Sequence, residues 1–475
     1  MSTVPTLRAA LAAHRFGLAE PHLLSLTGDP TGWLLSQIGP ADAPRGEGLA
    51  SAAAGLRQFY AFARERREVR RPVDGAEMAK STEAQFGEHF RAIVEADLRS
   101  RLATAALTQR PFAERIAMFW SNHFTVSMAK ASARGMVGAF EREAIRPHIA
   151  GSFEALLKSA VKHASMLRYL DNALSAGPNS RVVAVLARRA DRRRGDDAEP
   201  RAPRLTGLNE NLAREVLELH TLGVQGGYTQ SDVTEFARVL TGWRVPGPNQ
   251  MNELRDGEAT LFDPTWHEPG NKLVLGKTYR EGAQALDDVL HDLTHQPSTA
   301  RFIASKLARH FVADDPPPAL VGRLAASFTR SGGELPALYR TLVESPESWE
   351  PRLAKLKTPE EFVLSTARVL NLGERIVARG RDAGISTMGQ RVQAAPSPAG
   401  WPDRAEEWLG PEAVWKRVEW ATRLAERVGQ LDARSIARAS LGPLLTPATA
   451  TQIERAADAA QALTLLLMSP EFQRR

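Results

Sequence analysis

Apolar residues recur three and four positions apart along most of the chain, the period of a helix with one buried stripe. RAIVEADLRSRLATAAL (91–107), PFAERIAMFWSNHF (111–124), SFEALLKSAVKHASMLRYL (152–170) and TARFIASKLARHFV (299–312) all read this way. Helix starts are marked as well. Thr229 and Asp232 have the spacing of a capping box, with aspartate in place of the usual glutamate. Ser345-Pro346-Glu347 and Ser469-Pro470-Glu471 each read as an N-cap, a first-turn proline and an acid.

Two stretches break the pattern. RRADRRRGDDAEPRAPR (188–204) mixes charge and proline with almost no apolar residue, which predicts an exposed loop. EATLFDPTWHEPGNKLVLGKTY (258–279) has short β-prone runs around a Pro-Gly-Asn turn and predicts a small hairpin. The expected fold class is mainly α: a large multi-helix globular fold with at most a small β-hairpin near 258–279. Either one helical domain covers 6–475, or two lobes, 6–187 and 205–475, flank the charged loop.

Composition changes the picture mainly by exclusion. The chain has 475 residues and no cysteine, so thiol nucleophiles, disulfides and thiolate metal sites are ruled out. A net charge of +6 is mild for this length. No apolar run approaches the roughly 18–20 residues of a membrane span. The opening MSTVPTLRAALAAHRFGLAEPHLL lacks a basic start, an apolar core and a cleavage site, so a cytoplasmic protein is expected.

Longer motifs carry a resemblance. ERIAMFWSNHFTVS, MLRYLDNALS, NENLAREVLELHTLGVQGGYTQSDVTEFARVLTGW, STARFIASKLARHFV and LLLMSPEFQRR together resemble a large bacterial family catalogued as domain of unknown function eighteen-hundred. The likeness runs from about AAHRFGL to the last residues. It implies a mostly helical protein, often encoded beside a second family whose fold is similar to sulfatases. Those neighbours commonly carry twin-arginine export signals, so export together with a folded partner is a further expectation. The resemblance implies no reaction.

Candidate chemistry therefore rests on the residues. With ~100° per residue and Asn211 at the origin, Glu215 falls near ~40° and Glu218 near ~340°. His220 falls near ~180°, so it cannot share a site with Glu215 on a regular helix. Glu215 and Glu218 could share a divalent metal ion with His123, or form an acid/base pair. Equally, Arg214 can pair with both Glu218 and Glu210 in an ordinary helix network. At the end of an apolar helix, Trp120, Asn122 and His123 read either as pocket and ligand groups or as a hydrogen-bonded core cluster. Asp171 and Asn172 read as site residues or as a helix stop. Trp266 and His267 sit on a turn, where His267 is a candidate base or a solvated side chain. His291, His295 and His310 show no ligand spacing and read as structural. The glycines of GVQGGY read as a helix stop.

Three functions remain open. The first is a metal-dependent or carboxylate acid/base enzyme, hydrolase-like, in which Glu215, Glu218, His123, Asp171 and His267 act on a polar substrate held by Asn122, Trp120, Asn172, Asn211 and Trp266. The second is a non-catalytic helical partner or maturation factor of the sulfatase-like neighbour. Nucleic-acid binding ranks last, because the helix after GVQGGY opens with Asp232 and Glu235, which repel phosphate.

Overall fold

The computed structural model describes residues 4–68, 85, 87–193, 207–251, 259–378 and 382–475. Helices dominate. Those that position the site are α1 (Arg91–Leu107), α2 (Pro111–His123), α3 (Phe153–Lys162), α4 (Arg181–Arg193), α5 (Asn211–Glu215), α6 (Gln230–Leu240), α7 (Gln284–Thr294), α8 (Pro297–Phe311) and α9 (Pro359–Val369). Among the described residues, no helix is long and apolar enough to cross a membrane.

Local chemistry explains the helix starts. Thr229 and Asp232 form the expected capping box of α6, each side chain accepting the other's backbone N–H. Thr358 and Glu361 form a second one at α9. Ser469 caps the short helix that follows it by accepting from the Phe472 N–H. Ser345 departs from expectation. Its hydroxyl donates back to the Thr341 carbonyl at 2.6 Å, and the segment Pro346–Trp349 is a 3-10 turn without a side-chain cap.

Among the described residues, four short strands complete the fold: β1 (Trp243–Arg244), β2 (Leu261–Phe262), β3 (Lys272–Val274) and β4 (Lys277–Tyr279). β1 pairs with β2 and β3 with β4, both antiparallel. The hairpin thus lies where the sequence predicts, but its turn is Leu275-Gly276, not Pro269-Gly270-Asn271. Leu275 and Gly276 have φ of 49° and 76°, and positive φ at both central residues matches the right-handed strand twist. The charged stretch also differs: α4 extends through 188–193, and 194–204 lie outside the described residues.

Two apolar cores meet around α2. Ile116, Phe119 and Trp120 belong to the first, with Phe153, Val216, Ile303 and Phe311. Met118 belongs to the second, with Leu102, Phe362, Leu466 and Phe472. α2 is therefore buried on nearly every face. Arg115 has no water to reach from such a helix and must find carboxylates. That requirement places a charged network in the seam between the cores.

Candidate functional site

The network is centred on Glu361, at the start of α9. Its two oxygens meet Arg115 at 3.1 Å and Arg475 at 3.0 Å, while one also takes the Thr358 N–H. Burial alone would raise this carboxyl, but the two guanidinium groups hold it down at about 2. The Arg475 guanidinium also donates to the His310 carbonyl and lies 3.5 Å from Asp403. Asp403 in turn faces Lys355 at 3.2 Å. Although burial opposes it, the His310 ring, through its N–H, and then the Lys355 and Arg475 cations hold the Asp403 carboxyl well below the usual range.

His310, near the end of α8, is locked in one tautomer. Its Nδ1–H donates to Asp403 at 3.3 Å, and its Nε2 accepts from Arg115 at 3.0 Å. Burial and the neighbouring arginines bring it down to about 4, so the ring is neutral at pH 7.

Two adjoining hollows open in this seam, of about 270 and 90 Å³. Asn122, His310, Trp401, Pro402 and Asp403 line both. Asn122 joins α2 to the Trp401 segment by a reciprocal pair: its Nδ2 donates to the Trp401 carbonyl at 2.9 Å and its Oδ1 accepts the Trp401 N–H at 2.8 Å. Gly400 makes this approach possible. It has φ of +86°, and a Cβ there would lie 2.5 Å from the Asn122 carbonyl oxygen.

Lys306, His123 and Glu407 complete the larger hollow. Lys306 and His310 are four residues apart on α8 and so share one helix edge. Among the described residues Lys306 has no hydrogen bond or ion pair, only the Phe302 ring with its centroid 5.5 Å away. Burial lowers its ammonium group to about 8. His123 uses Nε2–H to donate to the His220 carbonyl at 3.1 Å, which leaves Nδ1 as a buried acceptor without a partner. Burial and then Lys306 push His123 well below the ordinary histidine value. The smaller hollow holds two more unpartnered buried atoms, Ser121 Oγ and Gln393 Oε1. With these atoms in its wall it is large enough for ordered water or a ligand group.

The other sequence candidates do not line these hollows, although the Trp120 ring packs edge-on against His123 with centroids 5.2 Å apart. Trp120 is fully buried and donates its indole N–H to the Tyr339 hydroxyl at 2.7 Å. Asp171, at φ of 59°, pairs with Lys130 at 2.6 Å. Asn172 pins two carbonyls, Leu240 at 3.2 Å and Trp243 at 3.0 Å. His267 is buried rather than on an exposed turn, and both its nitrogens are used. Nδ1–H donates to the Thr241 carbonyl at 2.7 Å, and Nε2 accepts from Lys272 at 3.0 Å and from the Gly282 N–H at 3.1 Å. Trp266 carries the Arg244 guanidinium 3.4 Å from its ring centroid.

On α5, Arg214 pairs with Glu210 at 3.3 Å and Glu218 at 3.6 Å, the ordinary network. Asn211 is exposed at the start of the helix, its N–H donating to Asn209 at 2.9 Å. Burial and then Glu218 raise the Glu215 carboxyl. Beyond α5 the helix continues as a π turn, Val216–His220, so a regular wheel no longer fixes the directions of Glu218 and His220. The trio Glu215, Glu218 and His123 is not brought together: among the described residues, the one group of three histidine or carboxylate ligands within 4.8 Å is Glu154, His291 and His295.

Lys306, His310, Glu361 and Asp403 are absent from the sequence candidates. The four-residue spacing of Lys306 and His310 was a usable signal. Asp403 lies in a segment without periodicity, and nothing local pointed to it. No curated protein and no solved structure matches this chain. A family description does match it over residues 10–474, and the chain belongs to that family, "Protein of unknown function (DUF1800)".

Proposed function

We propose that the seam hollow is the active site of an acid–base enzyme, hydrolase-like, acting on a polar substrate. The observation that carries this reading is Lys306: an amine without a partner, facing a cavity, brought to about 8 by burial. Near neutral pH such a group is partly unprotonated and can take a proton or attack a carbonyl carbon. His123 Nδ1 is the second free group, and Asp403 supplies negative charge beside them. His310 and Asn122 position the wall and do no proton transfer, because their polar atoms are already engaged. A divalent metal held by Glu215 and Glu218 would need ligands other than His123.

The test needs no known substrate. Amine-reactive labelling of the full chain across pH, read by mass spectrometry, should give Lys306 a reactivity midpoint near pH 8, against roughly 10.4 for exposed lysines. Lys306→Met should abolish any hydrolysis found on a panel of esters, amides and phosphate esters, without shifting the thermal midpoint. A midpoint above pH 10 would sink the reading.

The second reading is a non-catalytic helical partner of a sulfatase-like neighbour. It draws support from Trp120, Asn172 and His267, whose donors are all spent on holding elements together. Co-purification with that neighbour, with Lys306 titrating as an ordinary lysine, would favour it.

A further inference from the structure

α3 and α7 pack side by side, and a ligand set lies across their solvent edge. His291 and His295 are one helical turn apart, with ring centroids separated by 4.4 Å. From α3, Glu154 Oε2 lies 2.8 Å from His291 Nδ1. One ligand atom from each of the three residues falls within 4.8 Å of the others.

We propose that Glu154, His291 and His295 form a site for a borderline divalent transition-metal ion, zinc or nickel. Two imidazoles and a carboxylate are the donor set such ions take, with a fourth position left for water. The hydrogen bonds prepare the ligands. His295 Nδ1–H donates to the His291 carbonyl at 2.8 Å, which fixes the tautomer and leaves Nε2 with its lone pair. The ion takes the place of the proton between Glu154 Oε2 and His291 Nδ1, and that proton relocates to His291 Nε2 through solvent. Glu154 Oε1 stays on Lys158, 2.6 Å away, which orients the carboxylate.

The remaining adjustment is small. Zinc bonds of 2.0–2.1 Å place tetrahedral ligand atoms about 3.3 Å apart, so the Glu154 Oε2–His291 Nδ1 pair at 2.8 Å opens slightly while the His295 ring swings in. The His291 side chain is 53% exposed and free to turn that far. A bound ion would clamp α3 to α7 at the surface, and none of its three ligands lines the Lys306 hollow.

Calorimetric titration of zinc chloride into the full chain, with nickel chloride as second probe, tests the assignment. One equivalent should bind the wild type. The double variant H291A/H295A should lose roughly 10- to 100-fold in affinity, and Glu154→Gln roughly tenfold. Circular dichroism checks that these surface variants keep the fold, and Lys306→Met should bind zinc as the wild type does. Wild-type binding no tighter than that of H291A/H295A overturns the site.

Discussion

Two lysines with lowered ammonium groups separate a structural amine from a chemical one. Burial brings Lys357 down to about 7, and its ammonium donates to the Phe472 carbonyl at 2.7 Å. Burial brings Lys306 to about 8, and it has no such acceptor and faces a hollow. Perturbation alone therefore does not mark a site; a perturbed group without a partner that also faces a hollow is a candidate. His220 is the converse case, a fully buried ring on the first core with neither nitrogen bonded. An unsatisfied buried polar group costs about 1–3 kcal/mol, and an apolar replacement of similar size removes that cost. His220→Leu should therefore leave stability at pH 7.5 unchanged or raise it by about 1 kcal/mol in urea titrations. A loss above about 2 kcal/mol would mean that those nitrogens are served by water or a ligand.

Helical period and capping chemistry are local properties, and at the scale of elements they were legible in the chain. α1, α2 and α8 occupy the segments their apolar stripes mark, the 152–170 stripe is split at the extended His163 into α3 and a second helix Ala164–Tyr169, and the Thr229–Asp232 box starts α6. The π turn Val216–His220 was not legible, because an extra residue in a turn leaves no trace in the apolar period. Nor was the burial of His267, which depends on Thr241, Lys272 and Gly282 from neighbouring elements. Asp232 shows how an element signal acquires a tertiary duty. Besides serving Thr229, it accepts the Leu275 N–H at 2.7 Å, tying the β3–β4 turn to α6. Thr229→Ala should cost about 1 kcal/mol, an ordinary cap loss. Asp232→Ala should cost more, by roughly another 1 kcal/mol for the stranded N–H. Equal losses in the two variants, measured by denaturant unfolding, would mean the turn holds without that bond.

At the scale of the whole molecule, the seam joins the cores through groups whose charge state differs between folded and unfolded chain, so stability must depend on pH. His14 and His220, each at about 3, and His310, at about 4, are held below the ordinary 6.5 chiefly by burial. The unfolded chain binds their protons first, so their contribution is complete above pH 6.5 and is lost as pH falls below it. Each costs about 2 kcal/mol by pH 5, or ~6 kcal/mol for the three, against a typical total of about 5–15 kcal/mol. Glu361 acts later. Held at about 2 against an ordinary 4.5, it stabilises fully above 4.5 and loses that contribution as pH falls toward 2. The thermal midpoint should therefore fall steeply between pH 6.5 and 5, before carboxylates titrate, and His220→Leu should shrink that fall, with His14, His123 and His310 keeping the rest. Arg475→Met separates the two stages. It leaves Glu361 with Arg115 as its one guanidinium partner, so it should lower stability alike at pH 7.5, 6.5 and 5, by less than the roughly 3–5 kcal/mol of a buried ion left with no partner. The histidine-driven slope above pH 5 should survive in that variant. Calorimetric scans of wild type, His220→Leu and Arg475→Met at pH 7.5, 6.5 and 5 decide the matter, and a flat wild-type midpoint over that range would refute the histidine account.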